Sequence, residues 1–261
     1  MRERVGGLLL APLYRLYTGR LRREVGHAAV PHHVAVILDG NRRWASRAGL
    51  TELGAGHRRG ADKIDDLLEW CATLGVREVT LWALSGENLS RPGRELEALL
   101  DVVADKLIAL AAPGRTTRIR VFGRTEALPG RLREAIDLAE RETAARDGLR
   151  LNVALGYSGR DELVDACRAL VTRFVEEGVP PAEMAEHVTR EALAANLYTA
   201  GRPDPELIIR TSGELRLSGF LPWQSAHSEF YFTDVHWPVF RELDFLRALR
   251  TFQQRERRFG R

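Results

Sequence analysis

The chain of 261 residues is long enough for one large domain or two small ones, and an apolar share of 44% can fill a substantial core. Charged residues at 29%, set beside that apolar share, exclude wholesale disorder. A net charge of +3, with no RNP-type aromatic motif, zinc-finger spacing or long basic run, gives no electrostatic footprint for nucleic acid, and none is expected as a partner.

The first thirty residues are a basic, amphipathic extension containing "GGLLLAPLYRLYTGRLRREV". Its apolar stretch is too short for a membrane span, and no small-residue cleavage site follows. It is expected to dock as a helix or to fray, with a membrane-surface helix as the other reading. From there, apolar runs that read as buried strands alternate with helical patterns. The strands are "HVAVIL" (33–38), "EVTLWAL" (78–84), "RIRVFG" (118–123), "LRLNVALG" (149–156), "ELIIR" (206–210) and "EFYFT" (229–233). Helices are expected near 42–48, 57–74, 94–111, 130–146, 160–177, 189–196 and 242–258, with Gly75 and Gly178 at C-terminal caps. This alternation predicts an α/β fold: a single domain around a central, mostly parallel six-stranded sheet flanked by helices. Cys71 and Cys167 form no CxxC pair and are read as reduced thiols in helices.

Open parallel sheets bind ligands at the C-terminal ends of their strands. Here those ends are polar. "DGNRRW" follows the first strand, "SGENLSR" the second, "GYSGR" the fourth and "TSGELRLS" the fifth. Gly40 allows a sharp turn, and a helix starting at Asn41 would aim free N–H groups at an anion. Asp39 would repel that anion unless a divalent cation lies between them, so the stretch reads as a metal–diphosphate site. The competing reading is a strand-to-helix turn with Asp39 as N-cap. Arg210 and Arg216, with Ser212 and Ser218, suit a second diphosphate, or form a solvated loop. Ser85, Glu87, Asn88 and Arg91 can hold a substrate and relay a proton, or cap a helix; His57 joins them or is structural. "DDLLEW" (65–70) resembles the aspartate-rich motif of all-helical trans-prenyl synthases. It falls inside a helix without a second copy, so it reads as a solvated face with i,i+4 charge pairing.

Taken together and in order, "HVAVILDGNRRWA", "GHRRGADKI", "LWALSGENLSRP", "LNVALGYSGRDELVDA", "IIRTSGELRLSGFLPWQSAHSEFYF" and "RRFG" resemble the cis-prenyltransferases, the undecaprenyl diphosphate synthase-like isoprenyl transferases. "PLYRLYTGRLRREV" and "NLYTAGRPDPELIIRTSGE" are most similar to the actinobacterial branch with short-chain Z-farnesyl diphosphate synthases. The resemblance implies a catalytic domain over 31–261, a cytoplasmic homodimer with peripheral membrane contact for its lipid product, and a hydrophobic tunnel. Its substrates are isopentenyl diphosphate and an allylic diphosphate, geranyl or farnesyl, with Mg²⁺.

By position, Asp39 corresponds to the essential carboxylate and Glu229 to a second acidic metal position. Gly40, Asn41, Arg42 and Arg43 match the allylic diphosphate cradle, with Trp44 and Glu87 among the substrate-binding positions. His57, Ser85, Asn88 and Arg91 match the polar group beside the reacting carbons. Arg210, Arg216 and Ser218 match the isopentenyl diphosphate clamp, and Arg258 and Gly260 the terminal RxG element. Arg42 stands where many long-chain members carry glycine, His227 where tyrosine is common and Pro222 where leucine is frequent. The small Ala83 argues for a longer product and the branch similarity for a short one; the expectation is short. A long-chain undecaprenyl- or decaprenyl-type synthase and a non-catalytic partner subunit are the alternatives. A haloacid dehalogenase-type phosphohydrolase would want an aspartate where Asn41 stands.

Overall fold

The computed structural model describes residues 2–90 and 93–255. All six expected strands form: β1 (His33–Ile37), β2 (Glu78–Trp82), β3 (Arg118–Phe122), β4 (Arg150–Ala154), β5 (Leu207–Arg210) and β6 (Glu229–Phe232). They make one sheet in the order β3-β4-β2-β1-β5-β6, and every pairing is parallel. All five residues of β1 are buried. A central parallel strand covered on both faces needs that unbroken apolar run.

The helices are α1 (Arg2–Gly26), α2 (Asn41–Arg47), α3 (Ala55–Leu74), α4 (Gly93–Ala111), α5 (Gly130–Thr143), α6 (Gly159–Glu176), α7 (Met184–His187), α8 (Arg190–Ala194) and α9 (Glu242–Gln254). The single turn α7 was not expected; four residues are too few to show a 3.6-residue period. Gly75 ends α3 at φ 86°, and Val76 N–H bonds back to the Cys71 carbonyl at 3.0 Å. Gly178 plays the same part after α6 at φ 72°. Glycine takes this left-handed conformation without a Cβ penalty.

Because strand side chains alternate, β1 feeds two cores. Val34 and Val36 enter the larger one, which is filled from α1, α3, α4, α5 and α9. Ala35 and Ile37 enter the smaller one, with Phe122, Tyr157, Ile208 and Phe220. The amino-terminal helix contributes Leu21 and Val25 to the larger core, both at most 1% exposed. Arg22 grips Glu242 of α9 through two bonds of 2.7 and 2.6 Å, and Gln253 donates to the Val25 carbonyl at 2.9 Å. Both cysteines are free: Cys71 is buried, which pushes its thiol up, and Cys167 is exposed. Among the described residues no helix is long and apolar enough to cross a membrane.

Candidate active site

At the end of β1 the chain turns through Gly40 at φ 102°, and α2 starts with no side-chain cap. A Cβ on Gly40 would lie 2.7 Å from His236 Nδ1 and 2.9 Å from Ser212 Oγ, so only glycine fits. Arg47 donates to His236 Nε2 at 2.9 Å, which leaves the proton on Nδ1, 3.0 Å from Ser212 Oγ. Burial, then the cations of Arg47 and Arg43, hold the His236 pKa below its ordinary value and keep the ring neutral. Thr211 Oγ1 accepts from the Asp39 N–H at 3.0 Å, and Trp237 N–H donates to the Asp39 carbonyl at 3.0 Å. The backbone of the acid-bearing turn is thus fixed from two sides.

The carboxylate of Asp39 receives Arg210 Nη2 at 3.1 Å and Arg43 Nη2 at 3.3 Å. Arg210 is 6% exposed and also donates to Ser218 Oγ at 2.9 Å and to the Arg216 carbonyl. Three non-glycine residues of this loop, Ser212, Ser218 and Leu221, have φ of 80°, 52° and 48°. Such backbone strain concentrates at ligand sites and persists only where surroundings enforce it. Glu214, which the sequence motifs did not single out, lies 3.5 Å from Arg43 and 2.5 Å from Arg216. Its signal was present between the two clamp arginines, but an acid does not stand out in a search for anion donors.

These groups border a cleft of about 450 Å³ at the C-terminal ends of β1, β2 and β5. It brings together Asp39 through Arg43, His57, Ser85, Glu87, Asn88, Arg210, Arg216 and Ser218. Ser85 Oγ accepts the Asn88 N–H at 3.2 Å, and Asn88 Oδ1 accepts the Ser85 N–H at 3.3 Å. The pair therefore caps this turn and also lines the cleft. Arg42 sits at the rim, 3.1 Å from Glu95. Trp44 lies on α2 but does not line the cleft. Arg91, Arg258 and Gly260 lie outside the described residues.

Glu229, expected at a second acidic metal position, does not line this cleft among the described residues. It opens β6 level with Leu207, three positions below the Arg210–Phe232 pair, and bonds Arg255. In a parallel sheet the first residue of a strand stands at the opposite edge from the strand tips, here about 10 Å away by strand rise. Among the described residues, Glu87 and Glu214 are the other carboxylates that line the cleft with Asp39. Their carboxylate oxygens are the hard donors that a divalent cation takes.

Below the cleft an apolar cavity of about 60 Å³ runs between the sheet and helices α3 and α4. Ile64, Leu99, Val103, Leu107 and Val153 are among its walls. Leu38, Asn41, His57 and Ala83 line both spaces. Asn41 is anchored through Nδ2 to the Leu38 carbonyl at 2.9 Å, while its buried Oδ1 has no protein partner. Charge is thus concentrated in the upper space, while the walls of the lower one are mostly hydrocarbon, with Lys106 among them.

Residues 37–260 match the family described as "Putative undecaprenyl diphosphate synthase". The chain is 51% identical to the (2Z,6E)-farnesyl diphosphate synthase of Thermobifida fusca, over 97% of this chain and 99% of that one. It is 50% identical to the tritrans,polycis-undecaprenyl-diphosphate synthase (geranylgeranyl-diphosphate specific) of Methanopyrus kandleri, over 97% and 93% of the two chains. Among solved structures it is similar to lavandulyl diphosphate synthase of Lavandula x intermedia in complex with dimethylallyl diphosphate. The TM-score is 0.82 at 33% identity, covering 89% of this chain and 99% of that one.

Proposed function

The chain belongs to the undecaprenyl diphosphate synthase family of prenyltransferases, and from that premise we propose that it condenses isopentenyl diphosphate with geranyl or farnesyl diphosphate into a short Z-configured polyprenyl diphosphate. One observation carries the reading: an arginine-rich cleft shares four wall residues with an apolar cavity beneath it. That shape suits a ligand with a doubly charged head and a hydrocarbon tail. A non-catalytic subunit would have no use for Asp39, Arg43, Arg210 and Arg216 around one space. The name of the Thermobifida relative and the small lower cavity support a short product. A long-chain product is the second reading, favoured by Ala83, whose small side chain leaves the passage between the two spaces open.

The allylic substrate lies with its diphosphate over the Gly40–Arg43 turn and its tail between α3 and the sheet. Arg43 and the first N–H groups of α2 stabilise the diphosphate as the allylic C–O bond loosens. Asp39 would hold Mg²⁺, which when bound would supply charge neutralisation at the leaving group. Arg210, Arg216 and Ser218 hold the isopentenyl diphosphate so that its double bond faces the allylic carbon. The new C–C bond forms, and a proton leaves the isopentenyl carbon to a diphosphate oxygen or the Ser85–Asn88 pair. Apolar walls exclude the water that would quench the developing cation. A homodimer belongs to the same proposal.

The test is incubation of purified protein with Mg²⁺, labelled isopentenyl diphosphate and each primer, followed by chromatography of the extracted lipid. Label is expected in a discrete Z-product, and Asp39→Ala is expected to lower the rate by about 10²-fold or more with folding intact. If label never enters lipid with any allylic primer, the proposal fails.

A further inference from the structure

The "DDLLEW" stretch of α3 behaves differently from the solvated face expected of it. Asp66 does pair locally, with Lys63 at 2.5 Å and i,i+3 spacing. Asp65 instead turns across to α4 and the loop that follows it, receiving Lys106 Nζ at 2.5 Å and Arg115 Nη1 at 2.8 Å. Burial alone would raise its pKa, but these donors outweigh burial and hold the carboxyl below its ordinary value. The side chain of Lys106 is 12% exposed and lines the apolar cavity beside Val103, Leu107 and Leu110.

A lysine in this wall is notable in a chain whose only other lysine is Lys63 and whose remaining basic residues are all arginine. Lysine places a thin aliphatic stem against hydrocarbon while its ammonium reaches a partner, which a planar guanidinium cannot do in the same width. Lys106 stands more than three turns into α4, about 20 Å of helix from the end nearest the cleft. A hydrocarbon tail reaching this depth meets a nearly buried ammonium, paired with a half-exposed carboxylate, that ties α3 to α4. Passing it requires spreading the helices and drawing the nearly buried Lys106 ammonium away from Asp65 against hydrocarbon, which is unfavourable.

We propose that Lys106, held by Asp65, is a specificity-determining residue that closes the channel and limits product length. The inference rests on the prenyltransferase reading and extends it to one side chain. Methionine has similar length and no charge, and Asp65 keeps Arg115, so K106M is expected to fold. Its products are expected to shift upward, with the share at least one isoprene unit longer than the wild-type product rising about tenfold. K106R, which keeps the charge, is expected to retain the wild-type distribution.

A second readout needs no turnover. The affinity of straight-chain alkyl monophosphates of increasing length, measured by calorimetry, is expected to stop rising at a shorter chain in wild type than in K106M. Matching plateaus, an unchanged K106M product distribution, or an equal shift in K106R overturns the assignment. Different plateaus without labelled lipid from wild type would instead sink the reaction reading and leave the channel stop standing.

Discussion

At Arg210 a guanidinium that is 6% exposed divides its donors between Asp39, Ser218 and the Arg216 carbonyl. It therefore links the acid of β1 to the loop after β5, and it does so where solvent screening is weak. Arg42 presents the opposite case, with a side chain 62% exposed and one bond to Glu95 at 3.1 Å. An exposed pair of that kind contributes about 0–1 kcal/mol. The two arginines should separate in mutagenesis. Arg42→Gly is expected to change stability by less than about 1 kcal/mol, with a modest, salt-sensitive rise in the allylic KM. Arg210→Met is expected to lower kcat/KM by about 10²–10³-fold, as loss of one buried transition-state donor does. Steady-state kinetics and denaturant melts of both variants check the contrast, and a larger activity loss in Arg42→Gly than in Arg210→Met would reverse the two roles.

Elements were legible where one physical constraint dominates their sequence. β1 announced itself because a strand covered on both faces is apolar throughout, and its polar tip followed because parallel strands gather their C-terminal ends. What depended on which edge or which neighbouring helix a residue meets was not legible. Glu229 opens its strand, level with Leu207, and the partner of Asp65 lies on another helix at Lys106. The glycines of "GHRRGADKI" likewise show no task in the sequence. The structure gives them one, since Gly56 and Gly60 bring α3 against Asn41 and Trp237. A Cβ at Gly60 would fall 2.2 Å from Asn41 Oδ1 and 2.9 Å from Trp237 Cδ1. Helix propensity alone would make Gly60→Ala favourable by about 1 kcal/mol. The clash is expected to win, giving a net loss of about 1–3 kcal/mol and a raised allylic KM as Asn41 is pushed from its place. Urea melts and kinetics measure both, and a stabilised, fully active variant would show that Asn41 has room to move.

For the molecule as a whole, the sheet separates a large apolar core from a smaller face where polar groups are buried and joined across strands. His33 of β1 donates from Nδ1 to the Pro203 carbonyl at 2.8 Å and accepts at Nε2 from Thr80 Oγ1 of β2 at 2.8 Å. Asn152 of β4 continues the chain to Thr80 at 3.2 Å and to Glu78 at 2.7 Å. This arrangement requires a neutral ring, and burial lowers the His33 pKa against the opposing pull of the Pro203 carbonyl and Glu78. The linkage follows from the direction of that shift. The unfolded chain takes up the histidine proton near pH 6.5, while the folded chain resists until lower pH. Stability contributed by neutral His33 is therefore complete above about pH 6.5 and is lost as pH falls through the lowered folded value. His236 has the same sign, whereas Glu162, raised by burial, acts in the opposite direction as pH approaches the ordinary glutamate range. The wild-type profile thus mixes signs, and the difference from a His33→Gln variant isolates one group. Between pH 7.5 and 5.5 wild type is expected to lose stability relative to His33→Gln, with a slope below pH 6.5 of at most about 1.4 kcal/mol per pH unit. Denaturant unfolding of the two proteins at several pH values reads that slope directly, and parallel profiles would remove His33 from the proton linkage of the fold.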